Sequence, residues 1–360
     1  MEDTKRLLEE LVSTPGLSGY ENAIQQKIAE LWQPQTDEQH TSKLGSLHAL
    51  RRGQGSEPRQ SILIATHMDA IGLMVTAIEE GLLRLGPLGS VDERTLPGLT
   101  VTVHTQGEDL PGLVILPPNH TLPKEAKSGT PDLKYLYCDT GLPAKEVAQK
   151  VRLGDRVTYS MEPLEMGDGY FSSPALDNRA SVTVLTETLK LLKKRHHRWD
   201  VWAVATVQEE VGAQGAVTSG FALRPTLGVV IDVNFGAGPG TPSHEAFEMD
   251  KGPTFDYGPS AHPKLYQSFV DLTKSLEIPY QRCVYPRSSG TDADKLQLTA
   301  NGTPVMLLGI PMRYMHTPVE MLQIRDIQRT ARLLSEFICQ LDENFMDSLH
   351  WDDIERENEA

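Results

Sequence analysis

Two adjacent carboxylates, Glu209 and Glu210, follow an apolar run in the stretch AVATVQEEVGAQGA. The preceding residues DVWAVATV are nearly all apolar, which is typical of a buried strand, and Gly212 and Gly215 then indicate a loop. Carboxylates at the end of a buried strand are costly unless a positive partner meets them. A salt bridge, a helix N-terminus or a metal ion would each supply that partner.

Other acids and histidines stand at the ends of further apolar runs. They are His67 and Asp69 after SILIAT, Asp177 in PALDNR, Asp232 after LGVVI, and His316 in RYMHTPVE after VMLLGIP. Each has a structural explanation when taken singly: Asp177 could cap the following helix, and Asp232 could form an Asx turn. All of these explanations would have to hold at once, so we favour one shared chemical role.

The residue types indicate what that role is. Two histidines and three carboxylates form the mixed nitrogen and oxygen ligand set that suits zinc, cobalt or manganese. One carboxylate can bridge two ions, and the remaining ligands complete two sites with one histidine each. Paired ions roughly 3.5 to 4 Å apart activate a water between them and polarise a carbonyl. The sequence therefore predicts two divalent cations, with zinc or cobalt favoured and manganese as the alternative.

The spacing within each pair suggests a division of labour. Residues two apart on a strand share a side, so we expect Asp69 to hold the His67 ring and count it among the catalytic residues. Adjacent side chains leave a strand in opposite directions, so Glu209 and Glu210 should do different work. A general base needs a pKa near the working pH, which a desolvated site can supply. We assign Glu209 as the base and Glu210 as a metal ligand.

Elements that alternate between helix and strand must position these residues. Helical patterns in NRASVTVLTETLKLLKK, HPKLYQSFVDLTKSLEI and IRDIQRTARLLSEFICQLDEN are separated by the strand patterns WAVATV, LGVVID and GTPVMLLGIP. This alternation predicts an α/β fold with a mixed, mostly parallel sheet flanked by helices. Such sheets place their sites at the carboxyl ends of strands. Near the N-terminus, SGYE (residues 18–21) has capping-box spacing and predicts the start of a second helix.

Residues 72–161 have a different sequence pattern. Short β-rich runs such as LTVTVHT, GLVIL and DRVTYS are separated there by Gly/Pro turns and one polar loop near residues 117–132. That pattern predicts a small, inserted, all-β domain. The predicted organisation is a discontinuous catalytic domain of residues 1–71 and 162–343, the β-rich insertion, and an acidic C-terminal tail of residues 344–360.

Composition excludes several classes of protein. The formal net charge is -15, but the last twenty residues hold eight acids and one arginine and so supply about -7 of it. No basic stripe suited to nucleic acid is present. Cys138, Cys283 and Cys339 form no CxxC motif, which argues against a disulfide framework or a zinc–thiolate site. No signal peptide or membrane-length apolar run is visible, so we expect a cytoplasmic protein without membrane contact.

Seven motifs, taken in order, resemble peptidase family forty-two of clan MH, the tetrahedral aminopeptidases. They are HMDAIG, YLYCDTG, ALDNR, QEEVG, VIDV, SGTDAD and RYMHTPVE, and they span nearly the whole chain. The metal ligands that the resemblance implies are His67, Asp177 and Asp232 for one ion and Asp177, Glu210 and His316 for the other. Asp177 would bridge the two ions. The resemblance also implies Glu209 as general base, as the strand spacing does.

The resemblance carries further expectations about assembly and local structure. In this family the inserted β domain makes dimer contacts, and members commonly form a hollow tetrahedral dodecamer with active sites facing an inner chamber. A homo-oligomer acting on small peptides is therefore implied. The family also suggests a cis peptide bond between Asp177 and Asn178. Two positions depart from the family pattern: Ala70 stands where Glu is usual, and Asn178 where a second Asp is common. Neither departure removes a ligand.

The function predicted from these observations is removal of single N-terminal residues from short peptides by a di-metal aminopeptidase. Glu209 would take a proton from a metal-bridging water and return it to the leaving amine. Asp292 in SGTDAD and Arg313 in RYMH are expected near the substrate, and an uncharged or aliphatic first residue is expected. The main alternative is a related di-metal deacylase or carboxypeptidase. A glycosidase or a non-enzymatic oligomeric shell is more remote, since a glycosidase would leave the histidines without a role.

Overall fold

The computed structural model describes residues 1–124, 132–242 and 244–349, so the polar loop near residues 117–132 is covered only in part and residues 350–360 of the acidic tail lie outside the described residues. The α-helices are α1 (Glu2–Val12), α2 (Asn22–Trp32), α3 (Ala144–Lys150), α4 (Leu176–Leu192), α5 (Gln214–Leu223), α6 (Pro263–Leu276), α7 (Asp292–Leu296) and α8 (Ile324–Gln340).

The β-strands follow the same chain-order numbering. They are β1 (Glu38–Thr41), β2 (Leu47–Arg51), β3 (Ser61–His67), β4 (Gly72–Glu79), β5 (Leu82–Leu88), β6 (Thr100–His104), β7 (Leu110–Ile115), β8 (Tyr137–Asp139), β9 (Arg156–Tyr159), β10 (Leu164–Met166), β11 (Tyr170–Ser172), β12 (Asp200–Thr206), β13 (Leu227–Phe235), β14 (Thr254–Tyr257), β15 (Gln281–Val284), β16 (Val305–Arg313) and β17 (Met321–Gln323).

An 11-stranded mixed sheet forms the larger part of the molecule. Its order is β1-β2-β12-β3-β13-β16-β17-β11-β10, with β14 paired to β16 and β15 paired to β14. The central strands β12, β3, β13 and β16 run parallel, whereas β1, β2, β17, β11 and β10 pair antiparallel. The prediction of a mostly parallel sheet was therefore correct only for the centre. The outer strands are short, and short connections between neighbouring strands produce antiparallel pairs.

Helices cover both faces of the central strands, which explains why those strands are apolar throughout. Ile62 and Ile64 of β3 point into the larger core, to which α1, α2, α4, α6 and α8 contribute. Leu63 and Ala65 alternate with them and face a smaller cluster that contains Leu296 of α7. The α/β prediction is thus confirmed. The polar residues at the carboxyl ends of the central strands lie at one edge of the sheet, between the two helical layers.

A small closed barrel follows β3 along the chain. Strands β4, β5, β8, β7, β6 and β9 close it, and all of them lie between Gly72 and Tyr159. The barrel has its own apolar core, which includes Leu73, Leu85 and Val103. The chain then returns to the large sheet at β10. Closure removes the exposed strand edges that an open sheet of this size would leave.

The turn between α1 and α2 differs from the sequence prediction. Helix α2 begins at Asn22, with Glu21 as its N-cap residue and no side-chain capping bond, so the capping box was wrong. Ser18 Oγ instead donates to Asp69 Oδ2 at 2.6 Å. Glu21 Oε1 accepts the amide of Gln208 at 3.1 Å. Both side chains of this turn therefore form hydrogen bonds with the loops that follow β3 and β12.

The segment after α8 is packed as far as it is described. A short 3₁₀ helix spans Phe345–Leu349, and Leu349 is buried in the larger core. Trp199 Nε1 donates to the carbonyl of Asp342 at 2.8 Å, and the described acidic segment is thereby tied to the sheet. Among the described residues no helix combines the length and apolarity that crossing a membrane requires.

Candidate metal centre

The carboxyl ends of the parallel strands bring the polar residues together. β3 ends at His67, which is directly opposite Thr206, the last residue of β12. Asp232 lies on β13, the other neighbour of β3 in the sheet. The loop after β12, with Glu209 and Glu210, therefore begins beside His67. This is the edge at which ligands bind in α/β sheets.

Asp177 reaches the same edge from the first turn of α4. Its backbone angles are not helical (φ -79, ψ 100), and Ala175 before it is left-handed (φ 63). The peptide bond between Asp177 and Asn178 is cis, as the sequence resemblance suggests. The carboxylate is 5% exposed and faces the strand ends rather than capping its own helix.

Two groups of ligand atoms share Asp177. In the first group His67 Nε2 is 3.1 Å from Asp177 Oδ1 and 3.5 Å from Asp232 Oδ1. In the second group His316 Nε2 is 3.4 Å from Asp177 Oδ2 and 3.5 Å from Glu210 Oε2. Asp177 thus directs one oxygen to each group. This is the pairing that the family resemblance implies.

The spacing of these atoms fits metal coordination. Ligand atoms that surround a tetrahedral zinc ion at about 2.0 to 2.1 Å lie roughly 3.3 Å from one another. Distances of 3.1 to 3.5 Å match that value. Asp177 Oδ1 and Glu210 Oε1 are also buried without a hydrogen-bond partner. The residues present therefore fit a pair of divalent cations.

Electrostatics at the centre favour cations as well. Burial raises the pKa of Asp232, and it raises the pKa of Glu210 well above its usual range. Burial opposes the charged form of His67, but the carboxylates around it, Asp232 foremost, hold its pKa well above the ordinary value. Burial also opposes ionisation of Asp177, yet the neighbouring imidazoles of His316 and His67 lower its pKa. A divalent cation supplies the positive charge that this cluster of acids needs.

Asp69 stabilises the loop that carries the two glutamates. Its Oδ1 accepts the amide of Glu209 at 3.0 Å, and its Oδ2 accepts the amide of Glu210 at 3.2 Å. His67 Nδ1 lies 3.2 Å from the backbone carbonyl of Asp69 and 3.5 Å from its carboxylate. The strand-spacing reason for Asp69 does not apply, because β3 ends at His67. The backbone carbonyl of Asp69, rather than its carboxylate, is therefore the nearer hydrogen-bond partner of the His67 ring.

Glu209 and Glu210 lie in a turn, which changes the reasoning about their roles. β12 ends at Thr206, and Gln208 is left-handed (φ 58). The opposite-direction rule for strands therefore does not separate the two carboxylates, and both line the same cleft. Oxygens of Glu209 and Glu210 and a ring nitrogen of His67 lie within 4.8 Å of one another. Burial raises the pKa of Glu209 to about 9.

Glu320 supports two of the candidate ligands and was missed in the sequence. Its Oε2 accepts the amide of Asp177 and its Oε1 accepts the amide of His316, both at 3.0 Å. His316 is left-handed (φ 62), a conformation that non-glycine residues rarely adopt. Burial raises the pKa of Glu320 well above its usual range. The signal was an acid four residues after His316 in HTPVE.

Arg179 and Asn178 are two further residues without an assigned role in the sequence. Arg179 is 1% exposed, and burial lowers its pKa to about 10 against the opposing charges of Asp69 and Glu21. Arg179 supplies positive charge to the buried acids Asp69 and Glu21. Asn178 Nδ2 donates to Asp232 Oδ1 at 3.0 Å. An aspartate at this position would lack that donor.

The two expected substrate residues lie away from the cleft surface. Asp292 is 1% exposed and accepts a hydrogen bond from Thr206 Oγ1 at 2.5 Å, and burial raises its pKa to about 7. Arg313 Nε donates to the carbonyl of Ala237. Neither is among the residues that line the metal cleft. The structure thus does not place either residue in the lining of the cleft.

The barrel segment completes the wall of the cleft. The cleft has a volume of about 250 Å³, and Ser90, which follows β5 of the barrel, lines it. The amide of Asp92 donates to the carbonyl of His316 at 3.2 Å. A Cβ atom on Gly89 would lie 3.3 Å from Cβ of Glu210. Residues of the loop after β5 therefore contact two candidate metal ligands.

Comparisons with known proteins identify the family. The family model of the M42 glutamyl aminopeptidases matches residues 45–333. A lysyl aminopeptidase from Pyrococcus furiosus is 34% identical over 342 residues, which covers 93% of this chain and 96% of the relative. The similarity thus extends over almost the full length of both proteins.

Solved structures show the same fold. An aminopeptidase from the archaeon Desulfurococcus kamchatkensis superposes with a TM-score of 0.90 at 32% identity, covering 98% of this chain and 99% of that one. The TET1 peptidase of Pyrococcus horikoshii, described as assembling into a tetrahedron or a large octahedral shell, has a TM-score of 0.81 at 27% identity, with 94% and 100% coverage.

Proposed function

Because this chain belongs to the M42 glutamyl aminopeptidase family, we propose that it is a di-metal aminopeptidase that removes the N-terminal residue from short peptides. The observation that carries this proposal is the shared carboxylate of Asp177. One of its oxygens faces His67 and the other faces His316. Two ligand groups joined through one carboxylate are an arrangement that suits a pair of closely spaced ions.

Each ligand group would hold one divalent cation. The first consists of His67, Asp177 and Asp232, and the second consists of Asp177, Glu210 and His316. When bound, the ions would polarise the scissile carbonyl and lower the pKa of a water molecule. Nitrogen and carboxylate donors without a thiolate suit zinc or cobalt, with manganese as the alternative.

Glu209 is the proposed general base. Its carboxylate lines the cleft and lies close to ligand atoms of both groups, namely those of His67 and Glu210. A Glu209 oxygen would accept a proton from the attacking water and then donate it to the nitrogen of the leaving amine. Positive charge at the two ligand groups would lower the raised pKa of Glu209 towards neutrality.

The residues behind the cleft would keep this base in position. Asp69 accepts the amides of Glu209 and Glu210, and Ser18 Oγ donates to Asp69 in turn. Arg179 supplies positive charge to the same buried region. In this proposal Asp69 acts on the reaction through the loop and does not itself contact the substrate.

We extend the proposal to the assembly and its parts. Residues 72–161, which contain the closed barrel, would form an inserted domain that joins subunits. Residues 1–71 and 162–343 would form the catalytic domain, and residues 344–360 the acidic tail. The named assemblies of the Pyrococcus horikoshii relative support a homo-oligomer such as a dodecamer built from dimers. Analytical ultracentrifugation of the full chain would test this part.

The activity is tested by release of free amino acid from unblocked dipeptides and tripeptides. The chain would be stripped of metal with a chelator and then supplied with zinc, cobalt or manganese. We expect release that requires metal and a free α-amine, so matched N-acetylated peptides should not be cleaved. Cleavage of the acetyl group or of the C-terminal residue would instead establish the deacylase or carboxypeptidase alternative. Protein that binds two ions but cleaves no amide would contradict the enzyme proposal.

A further inference from the structure

A second cavity adjoins the metal cleft on the side of β14 and β15. It has a volume of about 30 Å³, and it shares Tyr285 and Ser289 with the lining of the cleft. A space of this size holds about one water molecule. Only the head of a side chain would fit inside it, with the rest of that side chain extending from the cleft.

Asp256 lies in this cavity on the same face of the sheet as the metal centre. Asp232 of β13 is opposite Gly309 of β16, and Gly309 is opposite Thr254 of β14. Residues opposite one another share a face, and so do residues two apart on a strand, so Asp256 shares the face of Asp232. Two strand spacings and two residues along the strand separate Asp256 from Asp232 by roughly 12 Å. That is a distance over which one long side chain can act.

The Asp256 carboxyl group is buried without a compensating cation. The residue is 7% exposed, and its Oδ1 has no hydrogen-bond partner in the described part of the chain. Burial raises its pKa to about 8, and the charges of Asp232 and Asp294 add to that effect. A buried carboxyl without a partner is costly, and a bound cation would relieve that cost.

The other charged residues of the cavity do not take this role. Asp294 already accepts hydrogen bonds from Ser288 Oγ at 2.6 Å and from the amide of Gly290 at 2.8 Å, so it builds the cavity wall. Arg287 lines the cavity but is exposed to solvent. Among the described residues no ion pair reaches Asp256, which leaves its carboxyl available to a ligand.

We propose that Asp256 selects substrates whose first residue is lysine, by pairing with the side-chain ammonium group in this cavity. The inference rests on the proposed aminopeptidase function, which places the first residue in the adjoining cleft. An ammonium group is compact and of about the size of a water molecule, whereas a guanidinium is planar and larger. The apolar stem of the lysine would lie along Tyr285, which lines both spaces. This selectivity replaces the expectation of an uncharged or aliphatic first residue.

The first test compares substrates on the unmodified, metal-loaded chain. Aminoacyl p-nitroanilides of lysine, Nε-acetyl-lysine, norleucine and leucine would be used, because norleucine keeps the lysine stem without the charge. We expect kcat/KM for the lysyl substrate to exceed that for the norleucyl and acetyl-lysyl substrates by about tenfold to a hundredfold. Equal or faster cleavage of norleucyl and leucyl substrates would overturn the inference.

The second test removes the charge from the cavity. Asp256→Asn should reduce the ratio of lysyl to norleucyl kcat/KM by about tenfold to a hundredfold. The circular dichroism spectrum and the metal content of the variant would report whether it is folded. Asp271→Asn is the matched control, since Asp271 is an exposed acid of α6. A lysyl preference that survives Asp256→Asn would show that Asp256 does not determine it.

These results separate the inference from the function on which it rests. Cleavage of leucyl substrates without a lysyl preference would overturn the assignment of Asp256 and leave the aminopeptidase proposal intact. Failure to cleave any free-amine substrate would overturn both.

Discussion

Glu320 accepts a hydrogen bond from the backbone amide of Asp177 at 3.0 Å, and its second oxygen accepts the amide of His316 at the same distance. One buried carboxylate thus fixes the backbone of two candidate metal ligands that are far apart in the sequence. Glu320 is not one of the candidate metal ligands. It acts on the site by fixing the backbone positions of Asp177 and His316.

Replacing this carboxylate should loosen the site without removing a ligand. Glu320→Gln keeps the shape of the side chain but leaves only one oxygen to accept the two amides. We expect zinc affinity to fall by about 10 to 100-fold, the usual cost of losing an outer hydrogen bond to a metal ligand. Competition with a chromogenic chelator would measure it. Glu248→Gln, on an exposed acid, is the control; unchanged affinity in Glu320→Gln would contradict the proposed role.

Glu209→Gln should separate catalysis from metal binding. Because the proposed base moves a proton and does not hold an ion, we expect the variant to retain two metal ions per chain. Its kcat should fall by about 10² to 10⁴-fold, the contribution typical of a general base. Metal content by mass spectrometry and peptide kinetics would be measured together. The comparison is Glu210→Gln, which should lose metal; a similar loss in Glu209→Gln would make Glu209 a ligand.

Asn178→Asp should make the metal-free protein less stable. The substitution replaces a donor to Asp232 Oδ1, now at 3.0 Å, with a second carboxylate. We expect the free energy of unfolding of the metal-free chain to fall by about 1 to 3 kcal/mol. Added zinc should restore more stability than in the parent, because a cation relieves the added repulsion. Thermal unfolding with and without zinc measures both effects, with the exposed Asn344→Asp as control.

Asp256→Asn should change how stability depends on pH. Unfolded aspartate ionises near pH 4, whereas the pKa of Asp256 in the folded chain is about 8. The folded state therefore keeps a proton that the unfolded state releases, and the stability of the parent falls as pH rises from about 4 to about 8. The Asp256→Asn variant does not lose stability in this way, because asparagine does not ionise. The variant should gain on the parent by roughly 1 kcal/mol per pH unit across that window.

Denaturant unfolding of the metal-free chain at pH 4, 6 and 8 would check this difference. The ionisable groups whose charges act on Asp256 are Asp232, Asp294, Cys283 and Tyr285. They are the same in both proteins, so their own titration largely cancels in the comparison. A gain that does not grow with pH would mean that Asp256 is ionised in the folded state at neutral pH.

The clustering of the candidate ligands could be anticipated from the sequence because each strand of the central sheet is apolar up to a polar residue. His67 and Asp232 stand where such runs end, and parallel strands end at one edge. What failed was the reasoning from side-chain alternation. Glu209 and Glu210 lie beyond β12 in a turn with a left-handed Gln208, where period-two alternation no longer holds.

The supporting hydrogen bonds to Asp177 and from Ser18 to Asp69 could not be found because the residues that make them are distant in sequence. Glu320 is 143 residues from Asp177, and Ser18 is 51 residues from Asp69. A local pattern carries no information about such bonds. Ser18 and Glu21 were assigned to a capping box because their spacing fits one, yet Ser18 donates to Asp69 and Glu21 accepts the amides of Gly19 and Gln208. Asp256 gave no signal either, since one acid in a short strand is ordinary.

The barrel cannot be deleted from this chain without changing the metal cleft. The loop after β5 carries Ser90 in the cleft wall, Asp92 on the carbonyl of His316, and Gly89 against Glu210. Cutting the chain at the two barrel crossings would remove these contacts together with the barrel. A truncated version that lacks residues 72–161 would therefore not be a minimal enzyme, and the barrel is not an exchangeable module. Any redesign of the barrel surface has to leave the β5 loop as it is.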